Sequence, residues 1–361
     1  MTHPKLYIPG PTEVHPDVLA AQAQPMVGHR SQDFAELFYR ILPRLKQVLL
    51  TEQHVYITAS SGTGLQEAAV RNAVRPGRKV LNMVAGAFAD RWHQVSVSNG
   101  KDAVRVDIEW GQPIRPEDVD AALAAGGFDA VTIVHNETST GVMSDIEAIA
   151  RLVREKYPDV LILVDAVSSA SGVRIAFDEW GLDMLLTSSQ KAFALPPGLA
   201  LAAVSDRMLE RAKQVPHRGW YFDLLTLEKY LAAGKTTPAT PAISLLYALD
   251  LQLDRILAEG LENRWARHAA CMEMTHAWAR KHGFELFPAA GYESRTVTCV
   301  RNTREIDVPA MIAFARAQNM VIGNGYGALK NQTFRIAHMG ELGPDDMRAL
   351  FAVLDAFLAN Q

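Results

Sequence analysis

Short apolar segments alternate with amphipathic segments over residues 55–205. The apolar runs predict strands at 55–58, 79–84, 130–135, 160–165, 184–187 and 199–204. Between several of these runs, helical patterns occur at 65–74, 116–125 and 146–157. Strands that alternate with helices form a mostly parallel sheet with helices on both faces. We therefore expect an α/β fold.

The two ends of the chain differ from this middle part. Pro and Gly are frequent in 7–16, which predicts an extended arm. Helices dominate after residue 205, and a long one at 243–259 is ended by Gly260. The last part mixes predicted strands at 296–300 and 333–337 with predicted helices at 308–318 and 344–358. We expect three parts: an N-terminal arm (1–14), a large domain (15–259) and a smaller C-terminal α+β domain (260–361).

The composition is typical of a globular enzyme. With 361 residues, of which 48% are apolar and 21% charged, the chain is long enough for a large domain and a smaller one. The net charge of −4 argues against a nucleic-acid-binding protein. Cys271 and Cys299 suggest no disulfide framework and have no metal-ligand spacing. There is neither a signal-peptide core nor an apolar run of roughly 20 residues, so we expect a cytoplasmic protein without a membrane partner.

Asp165 and Lys191 are the most informative residues. Asp165 ends the apolar run 160–165, and Lys191 follows the next run, just ahead of a Pro-Pro-Gly turn. Ligands of parallel sheets lie at the carboxyl ends of the strands, where both residues fall. Pyridoxal phosphate requires such a pair, because a lysine forms its Schiff base and an aspartate keeps its pyridine nitrogen protonated. Taken singly, Asp165 could be a helix N-cap and Lys191 a sheet-edge lysine, but both together at this spacing are a rarer coincidence.

Two segments that follow predicted strands suit other parts of such a cofactor. Small residues at 59–64 precede a helical pattern, and backbone N–H groups there favour an anion; the alternative is an ordinary glycine-rich turn. Phe88 could stack on a flat ring, although filling a core is the commoner role of an isolated phenylalanine. The segment 59–64 is neither a Walker loop nor a dinucleotide fingerprint, so nucleotide motifs do not compete for it.

Three further segments offer polar side chains. The segment 135–141 is dense in polar groups, which need partners such as a cofactor oxygen, or form a self-satisfied turn. Thr236 and Thr237 precede the helix 243–259, where they could cap it or supply hydroxyls to a phosphate across a subunit boundary. Arg335 stands inside an apolar strand. We expect it to need an acidic partner if buried, and its two-pronged guanidinium suits a substrate carboxylate.

Taken in order, these segments resemble the class V, fold-type I pyridoxal-phosphate aminotransferases, and most closely the alanine–glyoxylate and serine–glyoxylate (pyruvate) group. The likeness extends from Pro-Gly-Pro-Thr (9–12) to Phe-Arg-Ile-Ala (334–337). Its specific anchors are Glu-Thr-Ser-Thr-Gly (137–141), Val-Asp-Ala-Val-Ser (164–168), Ser-Gln-Lys-Ala (189–192), Pro-Pro-Gly (196–198) and Gly-Leu-Glu-Asn-Arg-Trp (260–265). Each is weak alone, and their order and spacing make the set strong.

The resemblance implies a role for each candidate residue. Lys191 and Asp165 are its catalytic residues. By this resemblance, the cofactor phosphate is bound by Ser61, Gly62, Thr63 and Gln190. The cofactor ring stacks on Phe88, and its phenolic oxygen lies near Thr138. The resemblance places Arg335 and Gly10 at the substrate, and Thr236 and Thr237 at the phosphate of a neighbouring subunit. A homodimer with shared active sites is therefore expected, and no metal.

The implied reaction is a ping-pong transamination through a lysine aldimine, from alanine or serine to a 2-oxo acid such as glyoxylate or pyruvate. The alternatives are a phosphoserine-type or other class V aminotransferase, a pyridoxal-phosphate lyase, and a non-catalytic relative. The chain departs from the family where members often have Trp instead of Phe88. Many alanine–glyoxylate enzymes also have His instead of Thr63 and Gly instead of Ser188, so the preferred amino donor stays open.

Overall fold

The computed structural model describes residues 3–359. The strands, in chain order, are β1 (Lys5–Tyr7), β2 (His54–Ala59), β3 (Lys79–Val84), β4 (Asp102–Asp107), β5 (Phe128–Val134), β6 (Asn136–Glu137), β7 (Val142–Met143), β8 (Leu161–Asp165), β9 (Met184–Ser188), β10 (Leu199–Val204), β11 (Glu285–Leu286), β12 (Val297–Arg301), β13 (Met320–Asn324) and β14 (Thr333–Ala337).

The helices cover both faces of the main sheet and one side of a smaller sheet. They are α1 (Pro16–Ala21), α2 (Gln32–Leu49), α3 (Gly62–Ala73), α4 (Ala87–Ser98), α5 (Pro116–Leu123), α6 (Ile146–Lys156), α7 (Asp206–Ala212), α8 (Leu224–Ala232), α9 (Ile243–Glu259), α10 (Leu261–Lys281), α11 (Val308–Ala317) and α12 (Pro344–Leu358). None of the helices within residues 3–359 is long and apolar enough to cross a lipid bilayer.

The main sheet has seven strands in the order β2-β10-β9-β8-β5-β3-β4. Neighbouring strands are parallel except β10, which runs antiparallel to both β2 and β9. The central strands β5, β8 and β9 are buried along their whole length, as expected for a parallel sheet covered on both faces. The α/β fold and the mostly parallel sheet predicted from the sequence are confirmed.

Two apolar cores flank the main sheet. One contains residues of α2, α6 and α9, such as Phe38, Ile149 and Leu253. The other contains residues of α3 and α4, such as Leu65 and Trp92. Because side chains of a strand alternate between faces, each buried strand contributes to both cores. Packing on both faces therefore fixes the positions of the strand ends, where the candidate residues lie.

A second sheet of five strands, in the order β1-β13-β14-β12-β11, packs on α10, α11 and α12. Its first strand is Lys5–Tyr7, so the beginning of the N-terminal arm is a regular strand, parallel to β13, rather than irregular chain. The break between α9 and α10 lies at Gly260, where φ is +82° and where the sequence analysis ends its large domain. The three-part division of the chain itself stays a prediction.

Candidate active site

A cavity of about 360 Å³ lies at the carboxyl edge of the main sheet. Nine of the residues predicted from the sequence line it: Gly10, Ser61, Gly62, Thr63, Phe88, Thr138, Asp165, Gln190 and Lys191. Three predicted residues, Thr236, Thr237 and Arg335, are not among its lining residues. The fold thus brings most of the candidate residues together from loops that are far apart in sequence.

Lys191 lies three residues after β9, with its side chain partly buried against the N-terminal arm. Its Nζ donates a hydrogen bond to the carbonyl oxygen of Pro9. Burial is the main reason why the pKa of Lys191 falls to about 8, and the nearby charges of Arg335 and Arg91 lower it further. Asp165 acts in the opposite direction. About a tenth of this amine is therefore neutral at pH 7, far more than of a lysine in water.

Asp165 is the last residue of β8 and is fully buried beside the same cavity. Its Oδ1 accepts a hydrogen bond from the backbone N–H of Val167 at 2.9 Å, and its Oδ2 accepts one from Gln66 Nε2 at 2.7 Å. Burial raises the pKa of Asp165 to about 6, although these two hydrogen bonds favour the charged form. The carboxylate is held by short-range donors rather than by a direct ion pair.

The segment Ser61–Thr63 forms the first turn of α3. The side chain of Ser61, the N-cap, makes no capping hydrogen bond, so its hydroxyl and the N–H groups of Gly62 and Thr63 are available to a ligand, whereas the Gly64 N–H donates to the Ser61 carbonyl oxygen. A Cβ at Gly62 would lie 2.5 Å from Val167 Cγ2, which explains why a residue without a side chain stands there. The start of α3 is therefore suited to an anion.

Phe88 lies in the first turn of α4, where it packs against an aromatic ring and a cation. Its ring centroid is 5.4 Å from that of Tyr326, and the Arg91 guanidinium lies 4.9 Å from the Phe88 ring. Arg91 also lines the cavity, and its Nη2 donates to the Tyr326 hydroxyl at 3.3 Å. Among residues 3–359, no carboxylate lies within ion-pair distance of Arg91. No role was predicted for this arginine from the sequence.

Glu137 fixes the start of α4, and its role was also missed. Its carboxylate accepts hydrogen bonds from the backbone N–H groups of Phe88 and Ala89 and from the hydroxyl of Ser139. Gly86 permits this approach, because a Cβ there would lie 2.4 Å from Glu137 Cγ. A buried glutamate directly after a strand was the available signal, since such a group must find donors.

The side chain of Arg335 is hydrogen-bonded to backbone carbonyl oxygens, one of which belongs to Thr138. Arg335 Nη1 donates to the carbonyl oxygen of Thr138 at 3.2 Å and its Nε donates to that of Asn324 at 2.9 Å. The acidic partner expected for Arg335 is absent within residues 3–359; backbone carbonyls and the ring of Tyr326, 5.4 Å away, contact the guanidinium instead. Burial lowers the pKa of Arg335.

The N-terminal arm covers the lysine. Gly10 has φ +130°, and a Cβ there would lie 2.8 Å from the Lys191 side chain. Thr12 is bonded to the same loop, because its N–H donates to Gln190 O at 3.1 Å and its hydroxyl to Lys191 O at 2.9 Å. The glycine is therefore required by close approach of the arm to Lys191.

Thr236 and Thr237 lie in a loop outside the cavity. The Thr237 hydroxyl donates to the carbonyl oxygen of Ala239 at 2.8 Å. Arg30, from the turn before α2, donates to the carbonyl oxygens of Thr237 and Pro238 and so holds the loop in place. Within one subunit, neither threonine contributes to the site around Lys191.

Comparison with known proteins identifies the class. Residues 15–328 match the family described as Aminotransferase class-V. The chain is 34% identical to the L-aspartate–glyoxylate aminotransferase of Paracoccus denitrificans (97% of this chain, 89% of that one) and 34% identical to the serine–glyoxylate aminotransferase of Methylorubrum extorquens (93% and 86%). The crystal structure of an alanine–glyoxylate aminotransferase from Nostoc sp. matches with TM-score 0.94 at 32% identity, over 99% of this chain and 96% of that one.

The chain therefore belongs to the class V aminotransferase family, whose fold is that of the fold-type I enzymes. It is a pyridoxal-phosphate-dependent aminotransferase. The resemblance stated from the sequence motifs is confirmed.

The cavity residues fit this cofactor. The hydroxyl of Ser188 lines the cavity and is buried without a hydrogen-bond partner among residues 3–359, so it is available to a ligand. A helix N-terminus suits a phosphate, and a buried carboxylate and a partly buried amine lie beside the same space. No group of metal-ligating side chains occurs within residues 3–359.

The lowered pKa of Lys191 predicts its reactivity in the protein without cofactor. An amine is nucleophilic only when neutral, so labelling of Lys191 by an amine-reactive reagent should rise with pH around a midpoint near 8. An amine free in water instead titrates near about 10.4. Peptide mass spectrometry across a pH series measures the labelling of Lys191. A labelling midpoint near about 10.4 for Lys191 would contradict this assignment.

Proposed function

We propose that this enzyme moves the amino group of a small amino acid, alanine or serine, to a 2-oxo acid such as glyoxylate or pyruvate, by ping-pong chemistry. The observation that carries the proposal is the placement of the buried Asp165 and the partly buried Lys191 beside one cavity. The three relatives described above share glyoxylate in their names, which supports this acceptor.

In this proposal the cavity residues hold the cofactor as the family resemblance implies. Lys191 carries it and Asp165 pairs with its pyridine nitrogen. The phosphate is held by Ser61, Gly62, Thr63 and Gln190, the ring face by Phe88, and the phenolic oxygen by Thr138. The bound cofactor supplies an electron sink for the negative charge that develops at the substrate Cα.

Lys191 is the proposed proton carrier of the reaction. Its Nζ can accept the proton of the substrate Cα only when it is neutral, and burial together with the charges of Arg335 and Arg91 provides that form. The carbonyl oxygen of Pro9 accepts a hydrogen bond from this amine, so the arm restricts its position. The arm also covers one side of the cavity, which limits access of water to the amine.

Arg335 is the proposed clamp for the substrate carboxylate. Two of its nitrogens are engaged with carbonyl oxygens, whereas Nη2 has no hydrogen-bond acceptor among residues 3–359. The two bonds fix the plane of the guanidinium, and the absence of a protein carboxylate leaves its charge for a ligand.

We also propose a homodimer. Thr236 and Thr237 lie away from the cavity of their own subunit, as expected if they serve the phosphate of the neighbouring one. Trp220 and Tyr221 are 55% and 42% exposed, which is unusual for large aromatic side chains outside an interface.

Cys271 and Cys299 are both buried free thiols, which suits a reducing compartment such as the cytoplasm.

A dicarboxylic donor such as aspartate is a second candidate. Arg91 is a cation beside the same cavity, and within residues 3–359 it has no carboxylate partner. A second carboxylate on the donor would supply one. The aspartate-specific name of the Paracoccus denitrificans relative agrees with this possibility.

Replacing Lys191 by Ala should abolish transamination without unfolding the protein, because the loss is chemical. Turnover of alanine or serine with glyoxylate is measured, together with the thermal unfolding midpoint. Lys213→Ala is the matched control, since Lys213 is exposed and is not among the residues that line the cavity. Near-wild-type transamination by Lys191→Ala would refute the assignment of this lysine.

Variants of the two arginines separate the donor classes. Arg335→Gln should raise KM about 10- to 100-fold for every donor, since a charge-assisted bond to the common carboxylate contributes about 1.5–3 kcal/mol. Arg91→Gln should raise KM by a similar factor for aspartate and change it little for alanine and serine.

Half-reactions of the holoenzyme with single amino acids measure these effects from the change in cofactor absorbance. An Arg335→Gln variant with unchanged KM would make that arginine structural. If the effect of Arg91→Gln is equal for aspartate and alanine, Arg91 is not a subsite for a second carboxylate.

A further inference from the structure

Gln66 is a buried amide on the side of α3 that packs against the sheet. It is only 2% exposed, and the residues around it on this helix, Leu65, Ala68 and Ala69, are apolar and buried. Its backbone carbonyl oxygen accepts a hydrogen bond from Trp92 Nε1 at 3.1 Å, which ties this turn of α3 to α4. A glutamine is rare in such surroundings unless its amide has a specific partner.

The partner of the amide is the carboxylate of Asp165. Gln66 Nε2 donates to Asp165 Oδ2 at 2.7 Å, while the backbone N–H of Val167 donates to Oδ1 at 2.9 Å. Each carboxylate oxygen thus has its own donor, which fixes the plane of the group. The Oε1 atom of Gln66 is buried without a partner among residues 3–359, so the side chain retains its place through the bond to Asp165.

We infer that Gln66 is a positioning residue, which acts through Asp165 to keep the proton on the pyridine nitrogen of the cofactor. This inference rests on the proposed pairing of Asp165 with that nitrogen. A hydrogen bond donated to a carboxylate stabilises its ionised form and lowers its affinity for a proton. When the carboxylate and the ring nitrogen compete for one proton, the donor amide therefore favours the nitrogen.

Because Asp165 is buried, it needs hydrogen bonds such as the one from Gln66 to keep its carboxylate ionised. Asp165 lies in a dry site where the neutral acid is otherwise favoured, and Glu137 adds a negative charge that acts in the same direction. Lys191 is the only cation among the causes that shift the pKa of Asp165, and it opposes these effects less than the two hydrogen bonds do. Val167 contributes a backbone donor that a side-chain substitution leaves in place. Gln66 is therefore the donor that a side-chain substitution can remove.

The test compares Gln66→Met with the wild-type holoenzyme. Methionine has a similar size and no donor, so it removes the amide with little change in packing. Asn72→Leu is the matched control: Asn72 is fully buried on the same helix and bonds Ala68 O and Phe222 O, but it does not contact Asp165. Asp165→Asn, which lacks the carboxylate, is the reference for complete loss of its effect on the pyridine nitrogen.

The main readout is the solid-state 15N resonance of the pyridine nitrogen, recorded with 15N-labelled cofactor. Gln66→Met should move this resonance from the protonated position of the wild type toward that of Asp165→Asn. In the same variant, kcat should fall about tenfold while KM changes little, because one charge-assisted hydrogen bond is lost from the electron sink. Asn72→Leu should lower the unfolding temperature and leave the resonance unchanged.

An unchanged resonance in Gln66→Met, with a normal shift in Asp165→Asn, would overturn the inference and leave the proposed function intact. An equal shift in Gln66→Met and Asn72→Leu would also overturn it, because the effect would then reflect general loosening of α3. A wild-type resonance that is already at the neutral position would instead contradict the proposed role of Asp165.

Discussion

This site depends on one constraint: the Lys191 amine and the Asp165 carboxylate are both largely removed from water beside one cavity. Burial drives both groups toward their neutral forms, raising the pKa of Asp165 to about 6 and lowering that of Lys191 to about 8. The two shifts have opposite consequences. A neutral lysine is useful as a base, whereas a neutral aspartate would not support a charged ring nitrogen. Hydrogen-bond donors around Asp165 counter the unwanted shift.

The fold produces this arrangement through the burial of its central strands. β5, β8 and β9 are covered on both faces, so their carboxyl ends leave polar residues at a dry edge of the sheet. Helices α3 and α4 start at the same edge and supply a turn suited to an anion and an aromatic ring. The N-terminal arm, attached through β1 to the second sheet, covers Lys191. Elements from distant parts of the chain therefore meet at one cavity.

Six of the seven strands of the main sheet, several helices and the Asp165–Lys191 pair were predictable from the sequence, since Asp165 ends one buried apolar run and Lys191 lies shortly after the next. β4 was not predicted, because it is an edge strand whose charged residues interrupt the apolar pattern. Arg91 and Gln66 were missed for a different reason: each depends on how a helix packs against the sheet, and local sequence does not specify that contact. The polar residue at position 66, on an otherwise apolar face of α3, was the only signal for Gln66.

Attachment of the cofactor to Lys191 is tested most directly by reducing the purified holoenzyme with borohydride, which fixes the cofactor to the amine that holds it. Peptide mapping by mass spectrometry then locates the added mass. We expect a single modified peptide with the added mass on Lys191, and its absence after reduction of the Lys191→Ala variant. Modification of a different lysine in the wild-type protein, with Lys191 unmodified, would contradict the proposed role of Lys191.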